Sequence, residues 1–258
     1  MFISRPDAQL FTVTFGNAPR TLLAIGGWIG SWELWAEPFS LLSASWRTVA
    51  FDHRGSGATL AAPDSISFSC LLDDLFAVMD ACAIDECILA AESAGAATAL
   101  QAVVQQPARF RGLVVVDGLY HRERPQGTDP FVAALQADFA TTLDQFVDAC
   151  VVEPDSEAIR RWGRQIVARS TPAAAIRLYE SLYEVDLRPH LASITLPTLL
   201  IHGENDQIVP VHEAQRLAAQ LPNSELLILP GAGHVPTITR PQAVADAITR
   251  FFALDQAS

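Results

Sequence analysis

The chain has 258 residues, half of them apolar, with 18% charged and 8% aromatic. That is enough to bury one sizeable core, and it is too apolar for a disordered chain. Its 17 basic residues against 29 acidic ones leave a formal net charge of −12, which repels phosphate backbones and anionic lipid and argues against nucleic acid or a membrane surface as partner.

The start, Met1 to Asp7, has no basic stretch leading into an apolar one, so no secretory signal is read and a cytoplasmic location is expected. Strand-like runs then follow at Leu10–Phe15, Thr21–Ile25 and Arg47–Phe51, and further runs lie at Glu86–Ala91, Leu113–Asp117, Pro197–His202 and Glu225–Leu229. The later runs are apolar without alternation, as expected of strands covered by helices on both faces. Between them, Leu72, Leu75, Phe76 and Met79 keep helical spacing, and the Ala-rich stretch after Ser93 is a strong helix former. The segment from about Cys87 to Val104 is the longest apolar one, but Glu92, Ser93 and Gln101 interrupt it before it could span a bilayer. Pro241 opens a closing amphipathic helix through Ala243, Val244, Ala247, Ile248, Phe251 and Phe252. Alternating β and α units predict an α/β fold with a doubly wound, mostly parallel sheet.

One region breaks the alternation. From Leu119 to Ile194 the pattern reads as helices only, roughly Pro130–Cys150, Ser156–Arg169 and Pro172–Tyr183. A helical cap over residues 119–194 is therefore expected, inserted into a core made of 1–118 and 195–258. It would lie over the C-terminal ends of the strands, where open α/β sheets bind ligands.

All the basic residues are arginine, which removes a Schiff-base lysine, a P-loop lysine and a Ser-Lys dyad. Cys70, Cys82, Cys87 and Cys150 form neither a CxxC pair nor a disulfide framework, so reduced thiols are expected. No His/Cys/Asp/Glu group has metal-ligand spacing along the chain, and no G-x-G-x-x-G follows a strand. Neither a metal nor a nucleotide cofactor is expected.

Three post-strand loops carry chemistry. Ser93 stands in Ala91-Glu92-Ser93-Ala94-Gly95, after an apolar strand and before the Ala-rich helix. A nucleophile elbow needs that arrangement, with small residues two before and two after the serine; a plain N-cap serine fits the same place. Asp206 lies in Gly203-Glu204-Asn205-Asp206 after the Pro197–His202 run, and His234 lies in Gly231-Ala232-Gly233-His234 after Glu225–Leu229. A solvated turn and a loop histidine without a role are the alternatives for those two.

Ser, then Asp, then His, each just past an apolar strand, is the chain order of the α/β-hydrolase triad. With Gly26-Gly27-Trp28 and Asp52-His53-Arg54-Gly55-Ser56-Gly57, the chain resembles the α/β-hydrolase superfamily from about Thr21 to Phe252. The last segment is similar to the D-x-R-G-x-G turn of the small esterase, lactonase and C–C hydrolase branch. The resemblance implies Ser93 as nucleophile, His234 as general base and then acid, and Asp206 as the orienting carboxylate. It implies an oxyanion hole from the backbone N–H groups of Trp28 and Ala94. Many relatives have His-Gly where this chain has Gly26-Gly27, which alters the shape of that hole without removing its donor.

Asp117, at the end of Leu113–Asp117, is the reserve triad acid, because some relatives take theirs from that position. Glu204 reads as a solvated loop acid, His53 as part of the structural turn and His202 as a strand end. Glu92, beside the nucleophile, departs from the usual pattern and reads as a structural hydrogen bond or an ion pair with an arginine. Gly27, Trp32, Phe139, Trp162 and Tyr183 are candidate pocket residues, with core packing the alternative for the aromatics.

The implied activity is a serine hydrolase that cleaves a carboxylic ester or lactone of a small to medium, fairly hydrophobic substrate. C–C bond hydrolysis of a β-diketone and haloperoxidase-like chemistry are alternatives on the same triad, and a non-catalytic ligand-binding receptor is the alternative from another class. A small molecule is the expected partner; oligomeric state is unreadable.

Overall fold

The computed structural model describes residues 1–253, in which nine strands form one sheet. The strands are β1 (Phe2–Arg5), β2 (Ala8–Phe15), β3 (Thr21–Ile25), β4 (Arg47–Phe51), β5 (Leu60–Ala61), β6 (Cys87–Glu92), β7 (Phe110–Val116), β8 (Thr198–Gly203) and β9 (Ser224–Leu229). Eight run in the order β1-β2-β4-β3-β6-β7-β8-β9, and β5 pairs with β2. Every pairing from β4 across to β9 is parallel, whereas β1, β2 and β5 pair antiparallel.

The helices are α1 (Ala36–Leu42), α2 (Phe68–Ala81), α3 (Gly95–Gln105), α4 (Pro130–Ala137), α5 (Phe139–Cys150), α6 (Glu157–Val167), α7 (Pro172–Ser181), α8 (Val211–Gln220), α9 (Pro236–Thr239) and α10 (Pro241–Ala253). Alternate strand residues feed two cores, because successive side chains leave opposite faces of a sheet. Leu23, Ile25, Leu89 and Ala91 meet Leu72, Leu75 and Met79 of α2 and Ala97 and Leu100 of α3. Leu22, Ala24, Ile88 and Ala90 meet Phe39 of α1 and Val244, Ile248 and Phe252 of α10. β3, β6 and β8 are buried at every position, which is why their sequences do not alternate.

Residues between β7 and β8 form no β-strand; a lone bridge joins His121 and Asp186. Pro130–Cys150 reads as one helix in the sequence but is two. Asp138 has extended backbone (φ −152°) and caps α5, its carboxylate accepting from the Thr141 N–H at 3.1 Å and the Thr141 hydroxyl at 2.8 Å. Helices α4 to α7 share a third core with residues that follow strand ends: Val132, Leu143, Val147 and Leu178 pack with Trp28, Ile29, Ile66 and Leu71. Trp28 is the centre of this contact. Its ring lies 5.2 Å from those of Phe131 and Phe146, and its indole N–H donates to the Ala175 carbonyl at 2.8 Å.

β1 is absent from the sequence reading. It is an edge strand paired with β2 around Pro6-Asp7, and its outward residues, such as Phe2, are exposed.

Candidate active site

β6 ends at Glu92 and α3 begins at Gly95, so Ser93 and Ala94 make the whole turn. Ser93 has φ +51°, a left-handed conformation that costs a non-glycine residue about 1–3 kcal/mol unless its surroundings hold it. They do: Ser93 N–H donates to Val116 O at 2.9 Å, and Ser93 O accepts from Leu119 N–H and Ala96 N–H, both at 3.0 Å. The turn also requires small neighbours. A Cβ on Gly95 would stand 2.5 Å from Gly26 O, and one on Gly27 would stand 3.1 Å from Ser93 Cβ.

Parallel strands deliver the other two loops to the same edge. His234 is 2% exposed; its Nε2 lies 2.8 Å from Ser93 Oγ and its Nδ1 lies 2.7 Å from Asp206 Oδ2. Asp206 is fixed in turn, because its Oδ1 accepts from the N–H groups of Ile208 at 2.7 Å and Val209 at 2.9 Å. Burial raises the Asp206 pKa, but the facing His234 charge and hydrogen bonds from His202, His234 and the Val209 amide outweigh it. The carboxyl is held well below the ordinary carboxylate range.

The reserve acid is placed differently. Asp117 is fully buried, and its Oδ1 accepts from the Gly203 N–H at 2.8 Å. Burial, and then the charge of Asp206, push its pKa well above the usual value. Between the two acids stands His202, whose Nδ1 is 3.5 Å from Asp117 Oδ1 and whose Nε2 is 3.3 Å from Asp206 Oδ2 and 2.8 Å from Val209 O. The sequence reading gives His202 no role. Its position i, i+4 to Asp206, at the mouth of a buried strand, is the signal that points to it.

Glu92 forms a hydrogen bond rather than an ion pair with arginine: the Thr237 hydroxyl on α9 donates to its Oε1 at 2.9 Å. Its Oε2 has no partner among the described residues. Burial, and to a smaller extent Asp206, raise its pKa to about 8. The His234 loop is also tied to the end of α5. His234 N–H donates to Cys150 O at 2.8 Å, and Gly233 N–H donates to the buried Glu153 carboxylate at 3.1 Å. Neither Cys150 nor Glu153 is legible as a site residue, because contacts across the insertion depend on its packing.

The N–H groups of Trp28 and Ala94 both lie in turns facing Ser93, and neither has a hydrogen-bond acceptor among the described residues. Ala94 also caps α3, where the helix dipole favours negative charge. A pocket opens beside Ser93 and His234. Its walls are almost wholly apolar, with Phe146, Val147, Ile159, Ile166, Val167 and Ile238 among them. A second, smaller space lies across Trp28 and is lined by Gly27, His53, Ala94 and Leu178.

Of the expected pocket residues, Gly27 alone lines either space. Trp32 turns away to pack 5.9 Å from the Phe15 ring, and Trp162 packs against the core beneath α1 and α10. Phe139 lies at the edge of the helical core. Tyr183 donates to Asp129 at 2.7 Å. Helical spacing places these aromatics on the right segments but cannot say which of them face the cavity.

Asp117, Asp206 and His234 present donor atoms within 4.8 Å of one another, a grouping that spacing along the chain does not reveal. Both His234 nitrogens already face Ser93 and Asp206, so a cation there would compete with both contacts. No helix among the described residues is long and apolar enough to cross a membrane.

The model of the alpha/beta hydrolase family matches residues 22–247, and the chain belongs to that family. It is similar to the pimeloyl-(acyl-carrier protein) methyl ester esterase of Edwardsiella ictaluri, at 29% identity over 266 residues covering 95% of this chain and 97% of that protein. It is 28% identical to the "Putative carbamate hydrolase RutD" of Caulobacter sp. (strain K31) over 249 residues, 91% of each chain. The enol-lactonase of Burkholderia xenovorans LB400 shares the fold, with a TM-score of 0.87 at 19% identity, covering 95% of this chain and 97% of that one. The family match makes the chain an alpha/beta hydrolase, and these likenesses do not fix its substrate.

Proposed function

We propose that the protein is a serine hydrolase that cleaves carboxylic esters or lactones with an apolar acyl group of small to medium size. One observation carries this reading: the Ser93–His234–Asp206 chain, at 2.8 and 2.7 Å, opens onto a pocket with almost wholly apolar walls.

In this reading Ser93 Oγ attacks the substrate carbonyl as its proton passes to His234 Nε2. Asp206 fixes the His234 ring and stabilises the charge it gains. The negative oxygen of the tetrahedral intermediate is held by the Trp28 and Ala94 amides. Collapse breaks the ester C–O bond, and His234 returns the proton to the departing alcohol. Water then gives a proton to His234 and attacks the acyl-enzyme, which releases the acid and restores Ser93. Helices α4 to α7 act as a cap on a core of residues 1–118 and 195–258, and they shape the acyl site through Phe146, Val147, Ile159 and Ile166.

Turnover of p-nitrophenyl esters of increasing acyl length, with lactones, a methyl carbamate and a β-diketone beside them, tests the reading. Activity should rise with acyl length, then fall once the cavity is full, and vanish in Ser93→Ala. A preference for charged acyl groups would overturn the acyl-site assignment. Preference for the diketone would make the enzyme a C–C hydrolase, and no turnover of any substrate by folded protein would make it a binder.

A further inference from the structure

Gly27 and Trp28 share one peptide group. Its N–H belongs to Trp28 and is one of the two amides assigned above to the oxyanion; its C=O belongs to Gly27. In a trans peptide these two groups point to opposite sides of a rigid plane, so whatever holds the C=O aims the N–H. Two groups hold Gly27 O. One is the Gly30 N–H at 3.2 Å, a bond within the same turn that moves with it. The other comes from a different strand: His53 Nε2 lies 2.8 Å from Gly27 O. Nδ1 also faces a carbonyl, that of Arg54 at 3.1 Å; a carbonyl oxygen only accepts, so a ring with a single N–H is assigned it at the shorter contact, on Nε2.

The ring is better anchored than the peptide. His53 is 6% exposed. Its own carbonyl accepts from the Ser56 hydroxyl at 2.9 Å and the Ser56 N–H at 3.1 Å. On either side, Asp52 accepts from Trp32 N–H at 2.7 Å and Ala58 N–H at 2.8 Å, while Arg54 is locked to Asp74 at 2.6 Å. Gly26 and Gly27, by contrast, have no Cβ to restrict their backbone, and Gly27 is pressed against Ser93. A di-glycine turn needs an outside clamp if its amide is to stay aimed.

We propose that His53 is a positioning residue of the oxyanion hole, its Nε2–H···O=C bond to Gly27 holding the Trp28 N–H toward the negative oxygen. The proposal rests on the serine-hydrolase reading above. It goes beyond the structural-turn role that the sequence gives His53.

The test compares His53→Leu, which fills space without a donor, with His53→Gln, whose amide nitrogen reaches near the Nε2 position. Loss of a whole oxyanion donor costs about 10²–10³ in rate, so loss of its clamp should cost His53→Leu about 10- to 100-fold in kcat. KM should stay close to that of wild type. Affinity for an alkylboronic acid, which forms a tetrahedral anion on the serine, should fall by the same factor as kcat. His53→Gln should recover most of both.

Unchanged kcat and boronate affinity in folded His53→Leu would overturn the proposal. So would equal losses in both variants accompanied by a rise in KM and a lower Tm, which would mark a purely structural turn. A test free of turnover is ¹⁵N–¹H NMR of the ligand-free enzyme, where His53 should carry a proton on Nε2 and a bare Nε2 would end the case. Failure of wild type to turn over any ester would instead count against the serine-hydrolase reading, while the NMR result still judges the clamp.

Discussion

Glu92→Gln isolates what a buried acid costs this site. The Glu92 carboxyl is 1% exposed, and its pKa rises from an ordinary 4.5 to about 8, mainly through burial. Between those values the unfolded chain releases this proton and the folded chain keeps it. Stability therefore falls as pH rises, by about 1.4 kcal/mol per pH unit from this group, or about 4 kcal/mol between pH 5 and 8. Glutamine keeps the shape and can still accept the Thr237 hydroxyl, now 2.9 Å from Oε1, but it does not titrate. Urea unfolding of both proteins at several pH values should give curves that are similar near pH 5, with the variant progressively more stable toward pH 8. Because Glu92 is mostly neutral at pH 7, turnover there should stay near wild type. Parallel stability curves, or a variant that loses ground as pH rises, would refute the burial argument.

The two acids near His234 should respond differently to the same change. Asp206→Asn offers an amide to His234 Nδ1, which forces the wrong tautomer, and should lower kcat by about 10³–10⁴. Burial works against a charge on Asp117, and Asn can keep its bond to the Gly203 amide, so Asp117→Asn should cost only a few-fold; steady-state kinetics of both variants checks the pair. Trp28→Phe removes the indole bond to Ala175 while keeping a ring among Phe131 and Phe146, and chemical denaturation should show a loss of about 1–2 kcal/mol. Ile159→Trp intrudes on the cavity and should move the optimum acyl length to shorter esters. Burial raises the thiol pKa of Cys82, Cys87 and Cys150, that of Cys87 to about 12, so a thiol reagent should titrate Cys70 first in native protein.

The candidate site loops are legible in the sequence because they are local: an apolar strand, a turn of small residues, then a helix. Ser93, Asp206 and His234 each stand in such a segment, and a parallel sheet brings strand ends to one edge whatever lies between them. Of the two candidate acids, it is Asp206 whose carboxylate lies 2.7 Å from His234 Nδ1. What is not legible depends on packing between distant segments. His202 becomes meaningful only once Asp117 and Asp206 flank it, and Glu153 only once α5 meets the His234 loop. Trp32 and Trp162 illustrate the same point, since composition cannot choose between pocket and core for them and both pack, half-buried, against the core beneath α1 and α10. The break at Asp138 had a local signal in the Asp-x-x-Thr cap, which an apolar helical pattern on both sides obscures.

A fluorophosphonate bearing an apolar chain tests the central claim most directly, because it needs an activated serine, a base and an amide pocket together. Peptide mapping after brief labelling should find one adduct, on Ser93, absent from Ser93→Ala and much slower to form in Asp206→Asn. An adduct on another residue, or folded protein that stays unlabelled at high probe concentration, would contradict it.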